Sequence, residues 1–174
     1  DSPFAIDTYV RTPGFEDELE KDIEEKRVQL IIFCGNAGDG KTALLQHLAT
    51  SIKLGDTQSS SRIIKGTSKG GTQVLMNLDG SASWGGRSAD ELLNEFLEPF
   101  QDGPSASDAV HLLAINDGRL LEWISAVEYS KGSPTPLAQS LYNLLLEIPN
   151  GTGKNESHIR FVNLNDRSLV GRID

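Results

Sequence analysis

Gly35-Asn36-Ala37-Gly38-Asp39-Gly40-Lys41-Thr42 carries glycine, lysine and threonine at the spacing G-x-x-x-x-G-K-[ST]. Each fixed position has a chemical reason. Glycines let the backbone turn tightly and aim successive N–H groups at anionic oxygens. A helix starting at the lysine adds its unpaired N–H groups and the positive end of its dipole. Lys41 is expected to reach the β- and γ-phosphates of a nucleotide, and the Thr42 hydroxyl to ligate Mg²⁺. The binding set is then Gly35, Asn36, Ala37, Gly38, Asp39, Gly40, Lys41, Thr42 and Ala43, with Mg²⁺ and a nucleotide as ligands. A chance glycine-rich turn would match this pattern on the order of once in a hundred chains of this length.

Hydrolysis also requires an acid near the metal and a group that orients water. In a parallel sheet such groups come from the carboxyl ends of strands. Two segments qualify. Leu112-Leu113-Ala114-Ile115-Asn116-Asp117-Gly118 is an apolar run ending in Asn116 and Asp117, and Val74-Leu75-Met76-Asn77-Leu78-Asp79-Gly80 ends in Asp79. Lys41, Asp117 and Asn116 are the candidate catalytic residues; Thr42, Asp117 and Asp79 are the candidate metal-supporting ones. Asn116 is alternatively a sensor amide, and the supporting acid then comes from Asp79 or elsewhere. The bland reading stands beside these, because Asp-Gly is a common turn pair. Neither acid is followed by a glutamate. Arg119, Arg167 and Arg172 read either as arginines reaching a neighbouring subunit's nucleotide or as ordinary surface residues.

The elements that must position these groups are legible from periodicity. Residues 15–26 read as a short acidic helix with Phe15, Leu19 and Ile23 on one face, and Val28 to Cys34 as a strand covered on both sides. Thr42 to Ile52 reads as a helix with Leu44, Leu45 and Leu48 inward. Leu54 to Gly71, rich in Ser, Gly and Thr, reads as a surface loop. Gln73 to Leu78, Val110 to Ile115 and Ile159 to Leu164 are further strands. Ser88 to Phe100 reads as a helix capped by Ser88 with Glu91 three residues on; Arg119 to Tyr129 and Leu137 to Ile148 complete the set. The alternation predicts a parallel sheet.

The chain has 174 residues and a formal net charge of −9. That is about one domain. A surface this acidic disfavours direct nucleic-acid binding, which needs basic groups against phosphates. No apolar run approaches the ~20 residues needed to span a bilayer. The single cysteine, Cys34, reads as a packed core thiol in a reducing, cytoplasmic setting, and His47, His111 and His158 lack metal-ligand spacing. A chain starting at Asp1 and stopping at Asp174 reads as a piece of something larger: residues 1–27 an extended segment and acidic helix, residues 28–174 a core cut before a C-terminal lid.

Three segments occur in order: the Gly35–Thr42 loop, Ala114-Ile115-Asn116-Asp117-Gly118-Arg119-Leu120, and Asn163-Leu164-Asn165-Asp166-Arg167-Ser168-Leu169-Val170. Together they resemble the AAA+/STAND-like P-loop ATPases of bacterial anti-phage defence, in particular the ATPase component of DNA phosphorothioation-dependent restriction systems. The resemblance implies a three-layer α/β/α P-loop NTPase fold with a mostly parallel sheet. It implies an ATPase coupling nucleotide state to self-assembly or to protein partners that sense or cut foreign DNA. ATP is also favoured over GTP because Asn163-Leu164-Asn165-Asp166 lacks the lysine of a guanine-reading Asn-Lys-x-Asp segment. The missing Asp-Glu pair and lid depart from the family pattern and leave two other readings open. One is a nucleotide-gated binding module with little turnover; the other is a small-molecule kinase with the Ser/Gly-rich loop as a lid.

Overall fold

The computed structural model describes residues 14–36, 40–60, 63–147 and 158–164. Among them are five α-helices and six strands, in the order α1 (Phe15–Glu24), β1 (Leu30–Gly35), α2 (Lys41–Ser51), β2 (Gly55–Ser60), β3 (Ile63–Thr67), β4 (Gln73–Asn77), α3 (Ala89–Leu97), β5 (Val110–Asn116), α4 (Asp117–Lys131), α5 (Pro136–Leu145) and β6 (Ile159–Asn163). The strands form one sheet in the order β2-β3-β4-β5-β1-β6. β1 pairs in parallel with both β5 and β6, and β4 pairs in parallel with β5.

The apolar run of β1 explains its place. All six of its residues are buried, so both faces of the strand need cover. Ile31 and Phe33 pack with Leu19 and Ile23 of α1 and Leu44, Leu45 and Leu48 of α2. Leu30, Ile32 and Cys34 pack on the opposite side with Leu93 and Phe96 of α3, Trp123 of α4 and Leu141 of α5. Alternation along one strand thus builds two cores, one on each side of the sheet.

The acidic helix α1 belongs to the first of these cores through Phe15, Leu19 and Ile23. Its polar side is tied down as well. Buried Asp22 meets Arg160 of β6, with Nε 2.6 Å from Oδ2, and Glu24 accepts a 2.6 Å bond from the Ser68 hydroxyl. A buried carboxylate needs such a partner, because an unpaired charge there is strongly destabilising. Helix α3 starts as its sequence predicts. The Ser88 hydroxyl accepts from Glu91 N–H at 3.1 Å, and the Glu91 carboxylate accepts from Ser88 N–H at 2.9 Å.

Residues 54–71 overturn the expectation of a surface loop. They contain the hairpin β2–β3, whose strands pair antiparallel, and β3 pairs antiparallel with β4. The sheet is therefore parallel only from β4 to β6. The reason is positional. An edge hairpin needs few apolar residues, because its exposed side faces water and its backbone bonds are satisfied by pairing. Ile63 and Ile64 supply what cover is needed. Gly66 is a packing requirement, since a Cβ there would lie 2.8 Å from Leu54 Cγ and 2.9 Å from the Gly55 carbonyl oxygen. The extended reading of residues 1–13 lies outside the described residues. No helix among the described residues is long and apolar enough to cross a membrane.

His111 on β5 is core, as its lack of metal-ligand spacing suggests. Its ring stands edge-on to Phe96 and Phe100, with centroids 4.9 and 5.0 Å away. Burial pushes its pKa down from 6.5 to about 4. The neutral imidazole is therefore the native form. Its contribution to stability is complete above pH 6.5 and is lost as the pH falls toward 4, when the unfolded chain takes up a proton that the folded chain refuses. Replacing His111 by Leu should flatten the acid limb of the stability profile. Urea denaturation at pH 7 and pH 4.5 should show a drop smaller by roughly 2 kcal/mol in the variant than in the wild type.

Candidate functional site

The glycine-rich motif begins at Gly35, the carboxyl end of β1, and Lys41 begins α2 immediately after Gly40. Gly40 has φ of 92°, a left-handed conformation that glycine adopts without strain. The first turn of α2 contains no acidic residue, so none of its own side chains offsets the positive end of its dipole. Ala37, Gly38 and Asp39 lie outside the described residues. Lys41 is buried, and its ammonium lies against the start of the loop, 2.8 Å from the Asn36 carbonyl oxygen and 3.5 Å from that of Gly35.

Register brings the two sequence candidates on β5 to the same edge. Gly35 is opposite Asn116, and Cys34 is opposite Ile115. No loop intervenes between β5 and α4. Asn116 is the N-cap of α4 and Asp117 its first residue, so the turn reading of Asp117-Gly118 is replaced by a helix start, two residues before the expected one. The Cys34 thiol donates to Asp117 Oδ1 at 2.9 Å, fastening the end of β1 to the start of α4. Burial pushes the Cys34 thiol far above its ordinary pKa, and the bond to Asp117 adds to the shift. Cys34 is therefore a protonated donor, as a core thiol should be.

Asp79 lies one strand further away, past β4, yet α2 reaches it. The Thr42 hydroxyl donates to the carbonyl oxygen of Leu78 at 3.0 Å. A hydroxyl that gives its proton to a fixed carbonyl keeps its lone pairs for another partner. The loop beyond is ordered by a run of short bonds. Asn77 Oδ1 accepts from Asp79 N–H at 3.0 Å, and Asp79 Oδ1 accepts from Ser81 N–H at 2.9 Å. Gly80 N–H donates to the Ala114 carbonyl at 2.7 Å, anchoring the loop to β5. Here Asp-Gly is indeed a turn, and the acid is half-buried at its head.

Thr42, Leu78, Asp79 and Asn116 therefore gather at one end of the sheet with Gly35, Asn36 and Lys41. A lone Mg²⁺ normally takes one or two carboxylates together with phosphate oxygens rather than a full protein cage. The hydroxyl of Thr42 and the carboxylate of Asp79 are donors of that kind. Among the described residues no group of three or more His, Cys, Asp or Glu side chains is placed to hold a metal. Arg119 is engaged within its own chain, paired with Asp90 of α3 and, at 3.0 Å, with Glu122. Arg167 and Arg172 lie outside the described residues.

Sequence reading missed three contributors: the Leu78 carbonyl, the Asn77 amide and the Cys34 thiol. The visible signal was Asn77, a polar residue directly after the apolar run Val74-Leu75-Met76. Comparison with known proteins finds no matching family model, no matching curated protein and no matching solved structure.

A side chain at Gly80 would crowd its neighbours. A Cβ there would lie 2.9 Å from Leu113 Cδ1 and 3.2 Å from both Ile115 Cδ1 and Leu93 Cδ2, all in the tightly packed second core. Gly80→Ala should lower the stability by about 1–3 kcal/mol, the usual range for overpacking. A urea titration should show the midpoint falling with the slope unchanged.

Proposed function

We propose that the chain is a three-layer α/β/α P-loop NTPase domain that binds Mg-ATP at the edge formed by β1, β5 and β4. One observation carries the reading: the Thr42 hydroxyl is bonded to the Leu78 carbonyl. That bond joins the helix after the G-x-x-x-x-G-K-T motif to the strand end that bears Asp79. A motif match alone says nothing of its surroundings. Here the motif follows a strand buried on both faces, opens a helix with no acid in its first turn, and is tied to a neighbouring acidic strand end.

In this reading the loop N–H groups and the α2 N-terminus hold phosphate oxygens. Lys41, whose ammonium already sits against the loop, moves its charge onto the β- and γ-phosphates. Thr42 and Asp79 would hold Mg²⁺, which would supply charge neutralisation at the phosphates. Asn116, opposite Gly35, offers its amide to the terminal phosphate or to water. Asp117 accepts the Cys34 thiol and holds the strand end to α4, so Asp79 is the better metal-supporting acid. The resemblance to defence ATPases extends the reading to a larger protein that couples nucleotide state to assembly with partners sensing or cutting foreign DNA.

A second reading, a nucleotide-gated binding module with slow turnover, has its own observation. Position 80, directly after the supporting acid, is a glycine whose side-chain space is filled. No base adjacent to Asp79 in sequence can polarise water there. Turnover therefore depends on a group supplied by Asn116, by another segment or by a partner.

Calorimetry with Mg-ATP and Mg-GTP tests the site. The wild type should bind Mg-ATP in preference to Mg-GTP, and Lys41→Ala should weaken binding at least tenfold. Asp79→Asn should abolish the gain in affinity conferred by Mg²⁺, whereas Asp117→Asn should keep it. No binding of either nucleotide to the wild type would overturn the reading. Loss of the Mg²⁺ gain in Asp117→Asn, and not in Asp79→Asn, would transfer the metal role to Asp117.

A further inference from the structure

Asn77 is a buried amide in the strand Gln73–Asn77, whose other inward positions are Val74 and Met76 on one side and Leu75 on the other. Buried polar side chains are retained where they satisfy a specific partner. The partner here is the N–H of Asp79, which Asn77 Oδ1 accepts at 3.0 Å. This bond bends the chain within two residues of the strand's end, as an Asx turn does.

The bend has consequences at two atoms. It sets the direction of the Leu78 peptide, whose carbonyl takes the Thr42 hydroxyl. It also sets where the Asp79 carboxylate starts, and Ser81 N–H then holds one of its oxygens at 2.9 Å. Leu113 opposite Asn77 and the Gly80 N–H bond to Ala114 fix the same segment from the β5 side. The amide is thus the inward polar group shared by both metal-directed residues, although it touches neither the hydroxyl nor the carboxylate.

We propose that Asn77 is a positioning residue for the metal half of the nucleotide site. By accepting the Asp79 N–H it orients Leu78 O, and through it Thr42, together with the Asp79 carboxylate. The proposal rests on the nucleotide-binding reading above and assigns within it the residue on which Mg²⁺ dependence turns. Without the acceptor, Asp79 N–H loses this partner and the Leu78 peptide is oriented less firmly, held only by the Thr42 hydroxyl and the β5 contacts on either side. The phosphate loop itself, on β1 and α2, is left in place.

Threonine and valine at position 77 separate this role from packing. They have the same shape and suit a strand equally, but only threonine offers an oxygen to the N–H two residues on. ATP affinity should be measured by calorimetry for the wild type, Asn77→Thr and Asn77→Val, each with Mg²⁺ and with EDTA. The expected result is a Mg²⁺ gain kept within about threefold by Asn77→Thr and reduced about tenfold by Asn77→Val. Affinity in EDTA should stay the same in all three. A Mg²⁺ gain in Asn77→Val equal to that of Asn77→Thr would overturn the proposal while leaving the nucleotide reading intact. If the wild type binds no ATP, the nucleotide reading fails and the proposal with it. Should Asn77→Val not fold, Asn77→Ala removes the same acceptor without the β-branch, and the same two outcomes decide.

Discussion

Burial of β1 on both faces is the constraint on which the rest of the molecule depends. A strand of Leu30, Ile31, Ile32, Phe33, Cys34 and Gly35 with no exposed residue must lie inside a sheet, with helices above and below it. Its neighbours β5 and β6 are both parallel to it, so their carboxyl ends open on the same side. That single placement decides where the glycine-rich motif emerges. It also decides that the residues facing it are Asn116, through register, and Asn163, opposite Cys34.

The second dependency is the reach of α2 over β5 to β4. The sheet order separates β4, which leads to Asp79, from β1 by a whole strand, about 5 Å in the hydrogen-bonding direction for each step. A helix packed across the sheet spans that gap without any loop insertion. Leu44 and Leu48 of α2 share a core with Val74 and Met76 of β4 and with Leu112 and Ala114 of β5. The same packing that hides these side chains delivers the Thr42 hydroxyl to Leu78. Core and site are thus one arrangement, and a cavity under α2 would be felt first at Thr42.

What was legible in the sequence follows from which signals are local. β1 and β5 were readable because both-face burial leaves continuous apolar runs, and α3 because a capping box is written in two residues three apart. The hairpin β2–β3 was not, since its Ser, Thr and Gly content has the composition of a loop. Only pairing with β4, a partner distant in sequence, makes those residues a strand. The start of α4 was misplaced because Asp117-Gly118 has the local signature of a turn, whereas β5 running straight into the helix is a tertiary outcome. Within the site the motif residues were plain. The link from Thr42 to a backbone carbonyl could not be read, because a carbonyl has no letter of its own.

The two strand-end acids show how position, not residue type, divides labour. Asp117 sits in the first turn of α4, where a carboxylate is stabilised by its own helix's N–H groups and dipole, and it accepts a hydrogen bond from a deeply buried thiol. Those interactions tie it to the interior. Asp79 follows a strand that ends in a turn rather than a helix, and its Oδ1 accepts from the N–H of Ser81 within its own loop. A carboxylate offers about four acceptor sites, so one backbone N–H leaves it with capacity to spare. Its neighbour Leu78 holds the Thr42 hydroxyl by the proton, leaving the oxygen's lone pairs available. Of the two acids, one is used by the fold, and the other is presented by it.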